Sequence, residues 1–156
     1  MSSAEIGARK PWRSAYLAVA LGSALGGLAR WGLSLAPLAE ISEGLPIGTL
    51  AVNILGSALI GFYASLIGPQ GCLVVGAWQR HFVMTGVCGG FTTFSLFSLE
   101  SLHFLQDGQL LAGAGLITLS VLLWMLSVWV GHHLGRLWCR RRCGGTQATP
   151  SSEQQL

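Results

Sequence analysis

Residues 81–100 read HFVMTGVCGGFTTFSLFSLE. From His81 to Leu99 the stretch carries no formal charge, and its apolar residues run on without the alternation of a half-buried strand. A helix of this length crosses a bilayer core, which takes about 20 residues. Yet Gly86, Gly89 and Gly90 weaken a helix from within, and the hydroxyls of Thr92, Thr93 and Ser95 follow at once. Carbonyls freed at membrane depth are tolerated only where protein or a cation satisfies them. The stretch therefore predicts a membrane helix broken near Gly89 to Thr93, with carbonyls placed to hold a monovalent cation. Beyond the break Phe94, Phe97, Ser98 and Ser101 recur at helical spacing, which gives one face with two rings and two hydroxyls. Ring edges are partially positive and suit an anion path. The usual fate of Phe is to face lipid or core, and the adjoining hydroxyls weigh against it here.

The rest of the chain repeats the pattern. Ser14 to Ala29, Gly44 to Gln79 and Gly108 to Gly135 are also free of formal charge. Four spans result, at roughly 14–36, 46–67, 81–105 and 109–135. Gly68-Pro69-Gln70-Gly71 ends the second, leaving Cys72 to Arg80 as a loop or short interfacial segment. Charged residues make up 10% of the chain, against about 25% in soluble domains, too few for a solvated surface. Hydrophobic residues reach 51%, which excludes disorder. The fold class is all-α integral membrane, four transmembrane helices with the third broken. The expected division is a cytoplasmic N-terminal segment (1–13), a four-helix domain (14–136) and a basic, disordered tail (137–156). The first span is too long for a cleaved signal peptide and holds Arg30.

Eight of the nine basic residues fall on one side of these spans. Arg9, Lys10 and Arg13 precede the first, Arg80 begins the third, and Arg136, Arg140, Arg141 and Arg142 follow the fourth. The opposite loops carry Glu40, Glu43 and Asp107. The positive-inside rule then puts both termini in the cytoplasm, with the chain multi-pass in the plasma membrane. A juxtamembrane basic cluster is a topology anchor or an anionic-lipid contact before it is a nucleic-acid site. Cys88 lies in a span, and Cys139 and Cys143 lie on the reducing side, so no disulfide framework is expected. His132, His133, Cys139 and Cys143 match no zinc spacing.

Gly22 and Gly26, Ser23 and Gly27, and Gly131 and Gly135 place small residues four apart, which reads as close helix packing. Thr49, Asn53 and Gly56 share a face of the second span. The Asn53 amide has two donors to offer an anion, and packing between helices is an equally good use of it. Glu100 and Arg30 are the formal charges nearest to span interiors, where each needs a partner, water or an interface. Ser120, Trp124, Ser127 and Gly131 share a face of the fourth span.

Three motifs, GSALGGLARW (22–31), GTLAVNILGSALIGF (48–62) and TGVCGGFTTFSLFSLE (85–100), resemble the CrcB or Fluc fluoride-channel family. The likeness covers about four-fifths of the chain. It implies an antiparallel dimer with two fluoride pores and a central structural Na+. The carbonyls of Gly89 and Thr92 would hold that Na+. Phe94 and Phe97 would be pore rings, Asn53 the pore-facing amide, and Thr93, Ser95 and Glu100 would lie along or near the path. Arg30 would be structural or shape the vestibule field. Two features depart from the family. If Ser120 is the family's fourth-helix Ser, Leu116 stands where a Tyr is common and Trp124 where a small or polar residue is common. The resemblance leaves an antiparallel dimer with itself or with an oppositely oriented paralogous subunit, and the charge bias, which points to one-way insertion, favours the second.

The expected function is passive, fluoride-selective export from the cytoplasm that relieves fluoride toxicity. The partners are fluoride and membrane lipid, with no nucleic acid. No phosphate-binding G-x-x-x-x-G-K-[ST] occurs, and no nucleophile–acid set suggests an enzyme. The alternatives are a small proton-coupled multidrug exporter, which needs a mid-membrane carboxylate, and a membrane assembly subunit that transports nothing.

Overall fold

The computed structural model describes residues 11–35 and 46–143. Arg9, Lys10, Glu40, Glu43 and the tail beyond Cys143 lie outside the described residues. Five helices follow in order: α1 (Pro11–Ser34), α2 (Ile47–Ile67), α3 (residues 77–91), α4 (Phe94–Gln106) and α5 (Leu110–Cys143). Four segments are long and apolar enough to cross a membrane: Arg13–Ser34, Ile47–Ile67, Ala77–Gln106 and Leu110–Arg142. The third is α3 and α4 together, so the broken third span is present.

Large apolar side chains point outward: Leu17, Leu21 and Leu25 on α1 and Leu122, Met125 and Leu126 on α5 are all more than half exposed. The buried residues are largely small or polar, Ala18, Thr49, Asn53, Ser65 and Ser120 among them, with Val52, Leu66 and Phe97 as larger apolar members. Such a surface suits lipid, where helices gain from close packing rather than from hiding leucine. Two parallel seams supply that packing. In the first, α1 lies along α3, with Gly22 against the Phe82 carbonyl and Gly86, and Gly26 against the Val87 carbonyl and Phe91. In the second, α2 lies along α5, with the Ala58 carbonyl on Gly131 and Phe62 and Ser65 on Gly135. A Cβ on Gly22 or Gly131 would overlap the facing carbonyl, so these seams need hydrogen at those positions.

The boundaries differ from expectation in several places. α1 already includes Pro11, the first described residue, inside the expected N-terminal segment. α5 runs through Cys143, into the segment expected to be a disordered tail. Its last described turn carries Arg140, Arg141 and Arg142. The segment after Gly71 is helical from Ala77. His81–Cys88 winds in wide π-type turns, which glycine counting did not reveal.

The cysteines also require a correction. Cys72 and Cys139 form a disulfide, with Cα atoms 5.3 Å apart. The turn closed by Gly71 N–H on the Gly68 carbonyl at 2.8 Å folds the chain back onto α2. Because α2 and α5 run parallel, their C-terminal ends meet, and that brings together two cysteines 67 residues apart in sequence.

Candidate functional site

The break in the third span falls at Thr92 and Thr93, both extended, with ψ of 158° and 115°. Helix ends leave backbone donors and acceptors without partners, and lipid supplies none. Asn53 meets this need from α2: its Nδ2 donates to the Thr93 carbonyl at 2.9 Å, and its Oδ1 accepts from the Thr93 N–H at 2.8 Å. Asn53 is 5% exposed. One side chain thus closes both halves of a single peptide position. The Thr93 hydroxyl caps α4 by accepting from the Leu96 N–H and lies 3.2 Å from the Ser95 hydroxyl. Thr92 folds back, with its N–H and hydroxyl both donating to the Cys88 carbonyl.

A cavity of about 200 Å³ opens beside the break, lined by Asn53, Ser57, Thr92, Thr93, Phe94 and Trp124. The aromatic rings form a chain at its edge. Phe94 and Phe97 lie 5.7 Å apart at 50°, and Phe97 meets Trp124 edge-on at 4.8 Å and 71°. The two phenylalanines differ sharply in setting: Phe94 is 72% exposed and Phe97 is 7%. The Trp124 Nε1 is buried with no hydrogen-bond partner.

Three residues beyond Phe97, Glu100 Oε1 accepts from the Thr49 hydroxyl at 2.6 Å. Glu100 Oε2 and Arg30 Nε are each buried without a hydrogen-bond partner, and the two residues do not pair with each other. Arg30 does not line the cavity. Gly89 and Thr92 lie at the broken end of α3. In an unbroken helix the Gly89 carbonyl would take the Thr93 N–H, which here goes to Asn53. Among the described residues no group of three His, Cys, Asp or Glu could hold a metal.

The structure therefore brings Asn53, Thr93, Ser95, Phe94 and Phe97 together and leaves Glu100 nearby with Thr49. It keeps Arg30 apart. Two expectations about free donors change. Asn53 spends one amide hydrogen and its oxygen on the chain itself. The hydroxyls of Ser98 and Ser101 bond back to the carbonyls of Phe94 and Phe97 in their own helix. Ser57 and Trp124 were not singled out as site residues. Ser57 follows Asn53 by one turn, a signal available in the sequence, whereas Trp124 reaches the cavity only through the packing of α5.

These features define a helical protein with four membrane-capable spans and a polar, ring-edged cavity at a helix break. Comparison with known proteins is consistent with that class. The family model described as CrcB-like protein, Camphor Resistance (CrcB), matches residues 17–132. The chain is 50% identical over 119 residues to the fluoride-specific ion channel FluC of Opitutus terrae, covering 76% of this chain and 90% of that protein. It is 49% identical over 118 residues to the FluC of Methylocella silvestris, with 75% and 89% covered. With the FluC of Chlorobium phaeobacteroides it shares 38% over 125 residues, with 80% and 95% covered. The chain belongs to the CrcB family, and it is a multi-pass membrane protein.

Proposed function

We propose that this chain forms a fluoride-selective channel that releases the anion passively from the cytoplasm. The observation that carries the reading is the cavity at the Thr92–Thr93 break, where one Asn53 amide hydrogen, the Thr93 hydroxyl and the Phe94 ring converge. The names of the related proteins supply the ion. A small anion holds its water tightly, so a selective path must replace that water with fixed donors. Phe94 and Phe97 offer ring edges without a full positive charge that would trap the ion. Thr93, Ser95 and Glu100 continue the polar path. An inside-negative potential drives an anion outward by about 2.3 kcal/mol per 100 mV, so no energy-coupling site is needed.

A structural Na+ belongs to the same reading. The carbonyls of Gly89 and Thr92 stand at a helix break, and the Gly89 carbonyl has lost its usual Thr93 donor to Asn53. Uncharged oxygens of this kind suit a hard monovalent cation. Bound there, Na+ would supply positive charge that fixes the broken ends. One chain offers two such carbonyls, and an antiparallel second subunit would double them. Phe94 stands 72% exposed in the single chain, which leaves room for that subunit to complete the wall. Arg30 acts at a distance, through the vestibule field or through packing.

The basic bias favours both termini in the cytoplasm, and thus an oppositely inserted partner that is a paralogous subunit; a second copy as that partner requires this chain to insert both ways. Tags on each terminus of the protein in cells test this. Cytoplasmic labelling alone is expected, and equal labelling from both sides overturns one-way insertion. The decisive assay of function is fluoride-electrode efflux from liposomes holding the purified protein, alone and then with a candidate oppositely oriented partner. Efflux under at least one condition is expected. Its absence under both overturns the channel reading.

A further inference from the structure

At the C-terminal ends of α2 and α5, away from the helix break, lies a second cavity of about 220 Å³ lined by Gln70, Arg136, Cys139 and Arg140. Arg136 donates to Gln70 Oε1 at 3.0 Å, which spends one of its five guanidinium hydrogens and fixes the side chain. Cys139 is 5% exposed, and its sulfur accepts from the Cys72 N–H at 3.1 Å, which holds the segment after Gln70 against α5 as a wall of the cavity.

No carboxylate answers these two cations among the described residues. The described acids are Glu100 and Asp107. Glu100 is held by Thr49 at the start of α2, about 30 Å from the end that leads to Gln70. Asp107 precedes the start of α5, about 40 Å from Arg136. The cavity thus presents two guanidiniums, that of Arg136 held by Gln70, with no carboxylate beside them among the described residues, a set suited to a tetrahedral oxyanion.

Its position narrows the source of that anion. Arg136 and Arg140 lie one turn apart, and Trp129 and His133 continue the same face toward the middle of α5. The rings of Trp129 and His133 lie 4.3 Å apart. Leu126, Trp129 and Leu137 are each half exposed or more. The basic cavity therefore lies at the end of a membrane-spanning helix that carries an exposed Trp on the same face as the two arginines.

We propose that this cavity binds the phosphate of an anionic phospholipid headgroup, with an acyl chain lying along Leu126, Trp129 and Leu137. The test is native mass spectrometry of the purified full chain in detergent, supplied with phosphatidylglycerol or phosphatidylcholine. Phosphatidylglycerol is expected to be retained about tenfold better, a difference of about 1.4 kcal/mol. Retention should fall to the phosphatidylcholine level in R136Q/R140Q and persist in R141Q/R142Q, which removes equal charge. Inorganic phosphate should not displace the lipid. Equal retention of the two lipids by the unaltered chain, or full retention in R136Q/R140Q, overturns the proposal. Displacement by inorganic phosphate also overturns it, in favour of a site for the free ion. The lipid comparison and the phosphate competition use the unaltered chain, so they decide the matter even if R136Q/R140Q does not fold.

Discussion

The two halves of the third span meet their neighbours by different means. α3 lies on α1 through backbone, with Gly22 facing Gly86 and Gly26 facing Val87 and Phe91. α4 and the Thr93 that caps it meet α2 and α5 through side chains: that of Asn53 on the Thr93 backbone, Glu100 with Thr49 and Phe97 with Trp124. The first kind of contact is rigid and leaves no room between helices. The second holds helices apart by the length of a side chain, and the cavity lies in that space. A single helix therefore has a closed half and an open half, and the change occurs where Thr92 and Thr93 leave the helical conformation.

The strongest test of this contrast lies in the open half. Phe94→Ile and Phe97→Ile are each expected to abolish fluoride efflux from proteoliposomes while assembly persists, because ring edges are lost and apolar bulk is kept. Normal flux in both variants would remove the rings from the path. In the closed half, Gly22→Ala should act on stability instead. Its Cβ would overlap backbone rather than a movable side chain, which costs about 1–3 kcal/mol by overpacking. A lowered melting temperature in detergent would show it, and an unchanged one would mean that the seam can open.

Asn53→Ala should affect both properties. It leaves the buried Thr93 N–H and carbonyl without their side-chain partner, at about 1–3 kcal/mol for each group. Both melting temperature and efflux should fall, and loss of efflux at full stability would mean that Asn53 serves the ion alone. Thr49→Val removes one donor from Glu100 and should slow efflux less than Asn53→Ala does, read as initial rates. Ser98→Ala should change neither property, with stability within about 0.5 kcal/mol, because that hydroxyl is turned to the Phe94 carbonyl of its own helix.

Much of the site could be read directly from residue order. A Gly-rich run followed by two threonines marked the break, since local backbone preference acts over a few residues. Phe94 and Phe97 at helical spacing marked a ring face, although spacing alone does not say which ring is buried. The roles of Asn53 and the serines were harder to read. A side chain's free donors depend on what stands opposite, and for Ser98 and Ser101 that is a carbonyl of the same helix. Trp124 was legible as one member of a fourth-span face and as a departure from the family, but not as a cavity residue, because reaching the cavity depends on how α5 packs against α4.

By itself the sequence determined the membrane setting, the four spans and the broken third one. Each follows from hydrophobicity, charge and glycine content within a window of some twenty residues, and lipid enforces them without reference to distant parts of the chain. The tertiary structure alone decided which residues meet across the chain. Asn53 reaches Thr93 over 40 positions and Cys72 reaches Cys139 over 67. Those meetings depend on the parallel pairing of α2 with α5 and of α1 with α3, set by the fit of whole helix faces. No local pattern encodes that fit, so the donors left for an ion and the basic cavity at the helix ends became visible only in the folded chain.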